Sequence, residues 1–377
     1  MANGYALPIL KHINALAGTN PAHKLSPLGF LQMLLSRMDD SVKWSQNYTG
    51  GHETQLKVKF RKRPLKSEVR DSEEGCNVAS NPSYQEFTVP GLQHHEVSFH
   101  LTSAQIRQYE KDASTWVKLN PASNIYNMEK ETQVMKEVYS LFIEYGNALL
   151  SKINETLVTQ MSTAFGINTV TGDNAATALT FSLGTVAMQD ALIRLMTDWR
   201  ENEMADDVAI VGSGPFANLD LVKKFYSSMA NNQGFNMAAV STFLGNVFFD
   251  KDTRAIWGNN HVGVFEKGSA HLLTRNMYEG NFSQKLANST FFTMALPVNE
   301  LTVPQPFLDR LLFDVQIKEV DCATEIDLNG VPTTVSEGVI VFLKKKFTLF
   351  TMPELFNEGD PLEGTNGTLR YSITATS

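Results

Sequence analysis

A glycine-rich turn is the segment of this 377-residue chain whose residue types and spacing most resemble a cofactor-binding motif. It follows the apolar run Val208-Ala209-Ile210-Val211, which is typical of a buried strand, and has the spacing Gly212-x-Gly214-x-x-Ala217 before a predicted helix. In the dinucleotide fingerprint, glycines at this spacing let the backbone approach a pyrophosphate at a helix N-terminus. An oxidoreductase that binds NAD or FAD at this turn is therefore one hypothesis for the chain.

Other features of the same segment favour an ordinary strand-to-helix turn. Pro215 lacks the amide hydrogen that a phosphate site offers. The region about twenty residues further on, Asn231-Asn232-Gln233-Gly234, has no acidic residue for a ribose hydroxyl. Ser213 lies between the glycines as in a shortened nucleophile elbow, but no base is indicated for it. We therefore predict no catalytic residue and no cofactor.

Three histidines and a glutamate lie close together in the sequence, at His94, His95, Glu96 and His100. On a strand, His94, Glu96 and His100 share one face, which a metal site would require. A structural metal needs a fourth ligand, and no nearby residue supplies one. We therefore predict that these side chains belong to a polar strand surface and that the chain holds no metal.

A run of three lysines, Lys344-Lys345-Lys346, separates two apolar runs, Gly338–Leu343 and Phe347–Phe350. Each apolar run is typical of a strand. Lysines beside strands commonly protect a sheet edge from pairing with other chains. The run therefore predicts two strands separated by a charged edge, although contact with a polyanion is an alternative.

Composition excludes several classes of protein. A net charge of −8 argues against a general nucleic-acid binder with a basic face. Cys76 and Cys322 alone cannot build a disulfide framework or a thiolate metal site. No apolar run is long enough to predict a membrane span, and residues 1–16 lack the basic region of a signal peptide. With 42% apolar residues, the chain can bury a large core.

The longest periodic pattern predicts one helix over about 40 residues, from Met128 to Phe165. Its apolar positions recur every three or four residues, at Val134, Val138, Leu141, Tyr145, Leu149, Ile153, Leu157, Met161 and Phe165. Such a helix would be about 60 Å long. A helix of this length is typical of a protein that contacts its neighbours in an assembly more than of a catalyst.

The region before this helix predicts an arm and an extended loop. Residues 1–50 predict a partly helical arm with an apolar stripe at Leu28, Leu31, Leu34, Leu35 and Met38. This helix either packs on its own domain or reaches a neighbouring subunit, and the sequence favours neither.

The extended loop, residues 51–102, alternates apolar and basic residues over Gln55–Lys66, continues through the acidic segment Ser67–Glu74, and returns over Gln85–Val89 and Glu96–Leu101. A two-stranded ribbon is marginally stable alone in water, so we expect it to lie on another subunit. The side chains expected to make this contact by charge pairing are Lys57, Lys59, Arg61, Lys62, Arg63, Glu68, Asp71, Glu73 and Glu74.

The rest of the chain mixes helices and strands, which predicts the α+β class. Helices are predicted over Asn174–Trp199 and Leu219–Ala230. Short strands are predicted at Val247–Phe249, Val262–Phe265, His271–Thr274, Leu312–Ile317 and Thr368–Ile373. The turn Leu328-Asn329-Gly330 predicts a hairpin, because Asn-Gly fits a two-residue loop.

The order of these elements resembles that of the major capsid proteins of tailed bacteriophages, the Hong Kong ninety-seven-type fold. The phrases that carry the resemblance include His95–Leu101 at the end of the loop, Val262–Phe265 with His271–Asn276, and Phe347–Met352. The resemblance implies five parts. These are an N-terminal arm (1–50), an extended loop (51–102), a peripheral domain with a spine helix (103–170), an axial domain (171–300) and returning strands that complete both domains (301–377).

The resemblance also implies what the chain does and where. Copies would form pentamers and hexamers of an icosahedral shell around double-stranded DNA, bound without sequence specificity. The partners would be neighbouring capsid subunits and separate scaffolding, portal and decoration proteins, with no membrane. Assembly would take place in the host cytoplasm and the product would be the virion. A compartment shell similar to the encapsulins is the alternative that the same fold serves.

Overall fold

The computed structural model describes the backbone of residues 28–37, 43–46, 56–61, 84–89, 91–108, 126–168, 176–182, 194–202, 204, 208–213, 247–276, 284–286, 289–295, 311–320, 324–328, 331–335, 337–352 and 366–376. These residues divide into two compact units. The first unit comprises the described residues of Gln93–Ile153 and Thr274–Phe347. The second unit comprises those of Pro27–Leu92, Asn154–Leu273 and Thr348–Ser377.

Helices are present in both units. The named helices are α1 (Gly29–Ser36), α2 (Tyr126–Ser162) and α3 (Asp252–Ile256). Residues 103–108 and 194–201 are also helical. The long helix predicted over residues 128–165 is confirmed as the 37-residue helix α2.

Sixteen strands are present among the described residues, and with the helices they confirm the α+β class. Their bounds in chain order are β1 (Lys43–Gln46), β2 (Leu56–Arg61), β3 (Tyr84–Val89), β4 (Gln93–Thr102), β5 (Thr177–Ser182), β6 (Val208–Gly212), β7 (Val247–Phe249), β8 (His261–Glu266), β9 (Ala270–Arg275), β10 (Gln284–Leu286), β11 (Ser289–Ala295), β12 (Leu312–Val320), β13 (Thr324–Leu328), β14 (Val331–Val335), β15 (Gly338–Thr351) and β16 (Thr368–Thr376).

The sheet of the first unit has the strand order β10-β11-β12-β15-β4. Neighbouring strands on the path from β10 to β4 are antiparallel. One face of this sheet packs on the first part of α2, where the Phe99 ring meets Phe142 edge-on at 5.2 Å and Tyr145 at 4.9 Å between ring centroids. Because side chains alternate along a strand, Phe99 and the buried Leu101 share this core face.

The hairpin predicted at Asn329-Gly330 is confirmed. β13 and β14 pair with Leu328 directly opposite Val331, which leaves two residues for the connection. Asn-Gly suits such a connection because both residues tolerate the positive φ that a type I′ turn requires.

The five-stranded sheet of the second unit has the order β5-β16-β8-β6-β7. Strands β8 and β16 are antiparallel, as are β6 and β8. On one face lies a core that includes Trp199 of the helical segment 194–201, Ile210, Val264 and Tyr371. The strands predicted over residues 208–211, 247–249 and 262–265 are confirmed.

The opposite face of this sheet carries an aromatic cluster. Phe265 of β8 lies 5.5 Å from Phe30 and 5.8 Å from Phe165, and Trp257 lies within 5.9 Å of both Phe30 and Phe165, measured between ring centroids. The indole Nε1 of Trp257 donates a hydrogen bond to the carbonyl oxygen of Val158 at 2.9 Å. Ring pairs of this kind add to the free energy gained by burying their apolar area.

Helix α1, which lies in the predicted arm, packs on its own chain. Six of its eight residues are buried, among them Phe30, Leu34 and Leu35. It packs within the second unit of its own chain through Phe30, and Leu28 bridges to Asp250 after β7. The described part of the apolar stripe, Leu28 to Leu35, therefore belongs to an internal contact. Met38 and residues 1–27 lie outside the described part of the chain.

A helix predicted over residues 174–199 is wrong for its first part. Residues 177–182 form β5, which pairs in parallel with β16 from Thr177 opposite Tyr371 to Ser182 opposite Thr376. Thr177, Thr180 and Phe181 all favour strands over helices. The apolar spacing of this segment is compatible with a helix or a strand. The strand forms because it pairs with the edge of β16.

Candidate assembly interface

Paired strands bring the two ends of the extended loop together. Strands β2 and β3 are antiparallel with Arg61 opposite Tyr84, so residues 62–83 leave the sheet and return to it at adjacent positions. This pairing confirms the outgoing and returning strands predicted for the loop. The loop segment 62–83 itself lies outside the described residues.

The sheet at the base of the loop differs from the predicted ribbon in two ways. Strand β1 pairs with β2, with Lys43 opposite Lys59, so the base has three strands. The run Glu96–Leu101, which the sequence grouped with the loop, belongs to β4 in the sheet of the first unit. Burial of Phe99 and Leu101 explains this placement, because the apolar face of β4 needs a core that a ribbon lacks.

A small apolar cluster anchors the base of the loop. Val58 of β2 and Val89 of β3 are buried against Leu273 of β9 and Phe350 of β15, all within the second unit. Full burial of one such side chain contributes about 1.5–3 kcal/mol to stability. Strands β2 and β3, which flank the loop segment, are therefore anchored on a folded unit.

The charged residues predicted for the contact fall into two groups. Lys57, Lys59 and Arg61 alternate along β2 with the buried Val58, and in the register Lys59 lies opposite Glu86. The other predicted residues, Lys62, Arg63, Glu68, Asp71, Glu73 and Glu74, lie outside the described part of the chain.

A buried polar cluster joins α1, α2 and the segment before α3 in the second unit. The Asn154 side chain accepts a hydrogen bond from the Leu31 amide at 3.1 Å and donates to Asp250 Oδ2 at 3.0 Å and Asp252 Oδ2 at 2.8 Å. Asp250 Oδ2 also accepts the Phe30 amide at 2.8 Å. Desolvation raises the pKa of Asp250, while these donors oppose the rise. The cluster satisfies amides at the N-terminus of α1 that would otherwise lack partners.

The lysine run does not protect a sheet edge, so that prediction is wrong. β15 is one continuous strand of 14 residues, and Lys344 lies opposite Asp314 of β12 on one side and Glu96 of β4 on the other. Lys344 Nζ forms an ion pair with Glu96 at 2.8 Å. A strand with neighbouring strands on both sides tolerates charged side chains when each charge has a partner. The local sequence pattern does not show whether such partners exist.

Lys345 is the buried member of the run, with 1% of its side chain exposed. Its Nζ donates hydrogen bonds to the carbonyl oxygen of Leu312 at 2.6 Å and to Asn276 Oδ1 at 2.8 Å, and it lies 5.9 Å from the centre of the Phe313 ring. Desolvation lowers the pKa of Lys345 to about 8, against the opposing field of Asp314.

The histidine cluster on β4 does not form a metal site in the described residues. No group of three or more histidine, cysteine, aspartate or glutamate side chains there could hold a metal ion. Glu96 is paired with Lys344, and the ring of His95 lies 5.1 Å from that of Phe347. Burial lowers the pKa of His94.

The glycine-rich turn has a packing explanation at its first residue. Gly212 ends β6, and a Cβ atom there would lie 2.7 Å from Val262 Cγ1 and 2.9 Å from the carbonyl oxygen of His261. Close contact with β8 therefore explains this glycine without a nucleotide. Gly214, Pro215 and Ala217 lie outside the described residues.

A second polar cluster, which is partly buried, was not predicted from the sequence. Asp198 Oδ2 accepts hydrogen bonds from Tyr371 Oη at 2.5 Å and from Asn168 Nδ2 at 2.9 Å. Asn168 also donates to Thr177 Oγ1 at 2.8 Å. Desolvation, followed by the interaction with Asp198, raises the pKa of Tyr371. These residues are far apart in the chain and no motif connects them.

None of the described helices is both long and apolar enough to cross a membrane. No protein-family model matches the chain, and no curated protein matches it.

Several solved structures are similar to the chain over nearly its whole length. One is the cyanophage A-1(L) capsid asymmetric unit, with 12% identity, 94% of each chain covered and a TM-score of 0.41. Another, from Mycobacterium phage Adephagia, has 12% identity, 97% of each chain covered and a TM-score of 0.40. A virus-like particle from Pyrococcus furiosus has 8% identity, 98% of each chain covered and a TM-score of 0.31.

Proposed function

We propose that this chain is a major capsid protein that assembles as pentamers and hexamers into an icosahedral shell around double-stranded DNA. The observation that carries the proposal is the base of the extended loop. Paired strands place Arg61 opposite Tyr84 and hold both ends of the loop segment 62–83 on a folded unit. A loop whose flanking strands are anchored in this way is suited to lie across a neighbouring subunit.

The charges of the loop support a contact between copies. Basic residues follow β2 at Lys62, Arg63 and Lys66, and an acidic stretch begins at Glu68. Opposite charges within one segment allow the same loop to pair with its counterpart or with a neighbour's mixed surface. Such complementarity sets the register of a contact more than its affinity.

The long helix supports the same proposal. α2 has 37 residues, which corresponds to about 55 Å. Several of its apolar side chains, among them Phe142, Leu150 and Leu157, are buried in their own units. A rigid element of this length is suited to carry mechanical load through a subunit of a thin wall.

The proposal includes the place of assembly and the partner proteins. The chain assembles in the host cytoplasm with separate scaffolding, portal and decoration proteins and ends in the virion. Packaged DNA is held without sequence specificity, in keeping with a net charge of −8. The oxidoreductase hypothesis has no support in the described residues, since contact with β8 accounts for Gly212.

The experiment is to replace the loop segment 62–83 with a short glycine-serine turn and to examine the purified protein. We expect wild-type protein to form closed shells, tubes or rings by negative-stain electron microscopy, with or without a scaffold. The deletion variant should keep its circular dichroism spectrum and remain a small oligomer in light scattering. Normal shells from this variant would contradict the role of the loop.

A matched control keeps the length of the loop and changes only its charges. Reversing the signs of Lys62, Arg63, Glu68 and Glu73 together preserves composition and net charge while exchanging the basic and acidic positions. Shells from this variant with none from the deletion would assign assembly to the segment and not to its charge order. Nucleic acid inside purified shells separates a capsid from a compartment.

A further inference from the structure

A lysine amine and an asparagine side-chain amide meet inside the first unit. Lys345 Nζ of β15 donates a hydrogen bond to Asn276 Oδ1 at 2.8 Å, and the two residues are 69 positions apart in the chain. Asn276 directly follows β9, and both residues belong to the first unit. The proposed shell function does not use this contact.

This hydrogen bond brings the amine nitrogen close to the carbonyl carbon of the amide. Because a C=O bond is about 1.2 Å long, a nitrogen at hydrogen-bond distance from Asn276 Oδ1 lies within about 4 Å of Cγ. A nucleophile at about 3–3.5 Å from the atom that it attacks is in a near-attack position. The terminal torsion of an asparagine side chain is soft, so a small rotation suffices to close the remaining gap.

The strand beside the lysine holds its amine in place. Lys345 Nζ also donates a hydrogen bond to the carbonyl oxygen of Leu312 at 2.6 Å, and 1% of the lysine side chain is exposed. A neutral amine can keep this hydrogen bond, because it still carries two N–H donors. Its lone pair can then face the amide of Asn276.

The surroundings favour the neutral amine, which is the nucleophilic form of a lysine. Desolvation lowers the pKa of Lys345 to about 8, against the opposing field of Asp314. Asp314 is itself buried, and a carboxylate in the vicinity offers a route for the proton transfer that amide exchange requires. Burial also keeps out water, which would compete with the amine for the amide.

We propose that Lys345 and Asn276 join in an isopeptide bond within the subunit. The neutral Nζ attacks Cγ of Asn276, so that a bond forms between Nζ and Cγ and the bond between Cγ and Nδ2 breaks. One proton passes from Nζ to Nδ2, and Nδ2 leaves as ammonia. The step needs no oxidant, no metal and no ligand from outside the chain.

The bond connects two positions that lie 69 residues apart, between the end of β9 and the middle of β15. A covalent link over such a distance restricts the unfolded chain, as a disulfide does. It also converts a titratable amine into an amide, so Lys345 titrates only in molecules in which the bond has not formed. The proposal does not depend on shell formation.

The test is mass spectrometry of the full-length protein, which is incubated folded and denatured just before the measurement. Wild type should contain a species lighter than the sequence mass by one ammonia, and its share should increase with incubation time. Trypsin does not cleave after an acylated lysine. Digestion should therefore give a branched peptide in which Asn276–Lys285 is joined to Lys345-Lys346.

Three variants control this measurement. Lys345→Arg removes the nucleophile and Asn276→Ala removes the amide, so both proteins should keep the full mass and give no branched peptide. Lys346→Arg is the matched control, because it leaves both reacting groups in place and should form the bond as wild type does. The peptide also separates this bond from ring closure at an Asn-Gly step such as Asn329-Gly330, which likewise releases ammonia.

Wild type that keeps its full mass after prolonged incubation would overturn the proposal. Loss of ammonia without the branched peptide would overturn it as well. If Lys345→Arg and Asn276→Ala fail to fold by circular dichroism, wild type held in urea is the control. It should keep its full mass, because only the folded chain brings Nζ to the amide, and a branched peptide from the unfolded chain would count against the proposal.

Discussion

Asn154 Nδ2 donates a hydrogen bond to Asp250 Oδ2 across 3.0 Å, and the two residues are 96 positions apart in the chain. Both side chains are fully buried. Through its Oδ1, Asn154 also accepts the Leu31 amide, so one side chain connects α2 to α1 and to the residue that follows β7. The packing of α1 therefore depends on a polar residue within the longest helix.

Replacing Asn154 with alanine tests this connection. Asn154→Ala would leave the Leu31 amide without its acceptor and Asp250 with one donor fewer, which should cost about 3 kcal/mol of unfolding free energy. Urea denaturation followed by circular dichroism measures the change. Lys152→Ala, at an exposed position two residues earlier, should change stability by about 0.5 kcal/mol or less. Equal costs for the two variants would contradict the role of Asn154.

The buried Lys345 predicts a rise of stability with pH. Its pKa is about 8 in the folded chain, below the value of about 10.4 for an unfolded lysine. Between these values the unfolded state binds more protons, so unfolding free energy increases as pH rises, by up to about 3 kcal/mol in total. Below pH 8 Lys345 is protonated in both the folded and the unfolded state, so its contribution to the unfolding free energy does not change with pH.

The measurement is urea unfolding of wild type and Lys345→Met from pH 7 to 9.5. Wild type should gain stability relative to Lys345→Met over this range. The upper limit matters because the pKa of Tyr371 is raised, and a raised tyrosine pKa lowers stability at pH values above its unfolded value. Parallel curves for both proteins would show that Lys345 is not the titrating group.

Gly212→Ala distinguishes a packing glycine from a cofactor glycine. The added Cβ would meet Val262 Cγ1 at 2.7 Å, so we expect a loss of about 1–3 kcal/mol in unfolding free energy, without any ligand present. Gly91→Ala is the matched control, because nothing lies within 4 Å of a Cβ there. Thermal unfolding compares the two. An unchanged Tm for Gly212→Ala would contradict the packing explanation and favour a functional role for the turn.

Gly146→Pro tests the continuity of α2. Proline within a helix removes a backbone hydrogen bond and clashes with the preceding turn, which costs about 3 kcal/mol or more. We expect lower thermal stability and loss of shells in electron microscopy. Ala148→Ser, at an exposed position in the same turn, should preserve both. Assembly of Gly146→Pro at the wild-type level would be inconsistent with a rigid helix.

Elements with a strong local pattern were predicted from the sequence. The apolar repeat between Val138 and Met161 suffices for α2, because helical hydrogen bonds and the i to i+4 contacts lie within one segment. The Asn329-Gly330 turn likewise predicts its hairpin, since the turn determines which residues pair. For the candidate interface, strand period around Val58 was enough to identify the outgoing strand of the loop.

Elements whose structure depends on a partner far away in the sequence were not predicted correctly. Residues 177–182 suit a helix or a strand, and pairing with β16 selects the strand. The same is true of β4, whose partner β15 lies more than 200 positions away. Local propensity does not show which strand of a sheet has an unpaired edge. For this reason the sequence led to an incorrect grouping of β4 with the loop.

Residue type and spacing by themselves determined the long helix, the alternating strands, the hairpin and the acidic, cysteine-poor character of this chain. Only the tertiary structure decided where the polar residues lie. It buried Lys345 against the carbonyl oxygen of Leu312, enclosed Asn154 with Asp250, and placed Arg370 over the ring of Phe165. The physical reason is that a polar group tolerates burial only with a partner, and partners distant in sequence meet only when the sheets form.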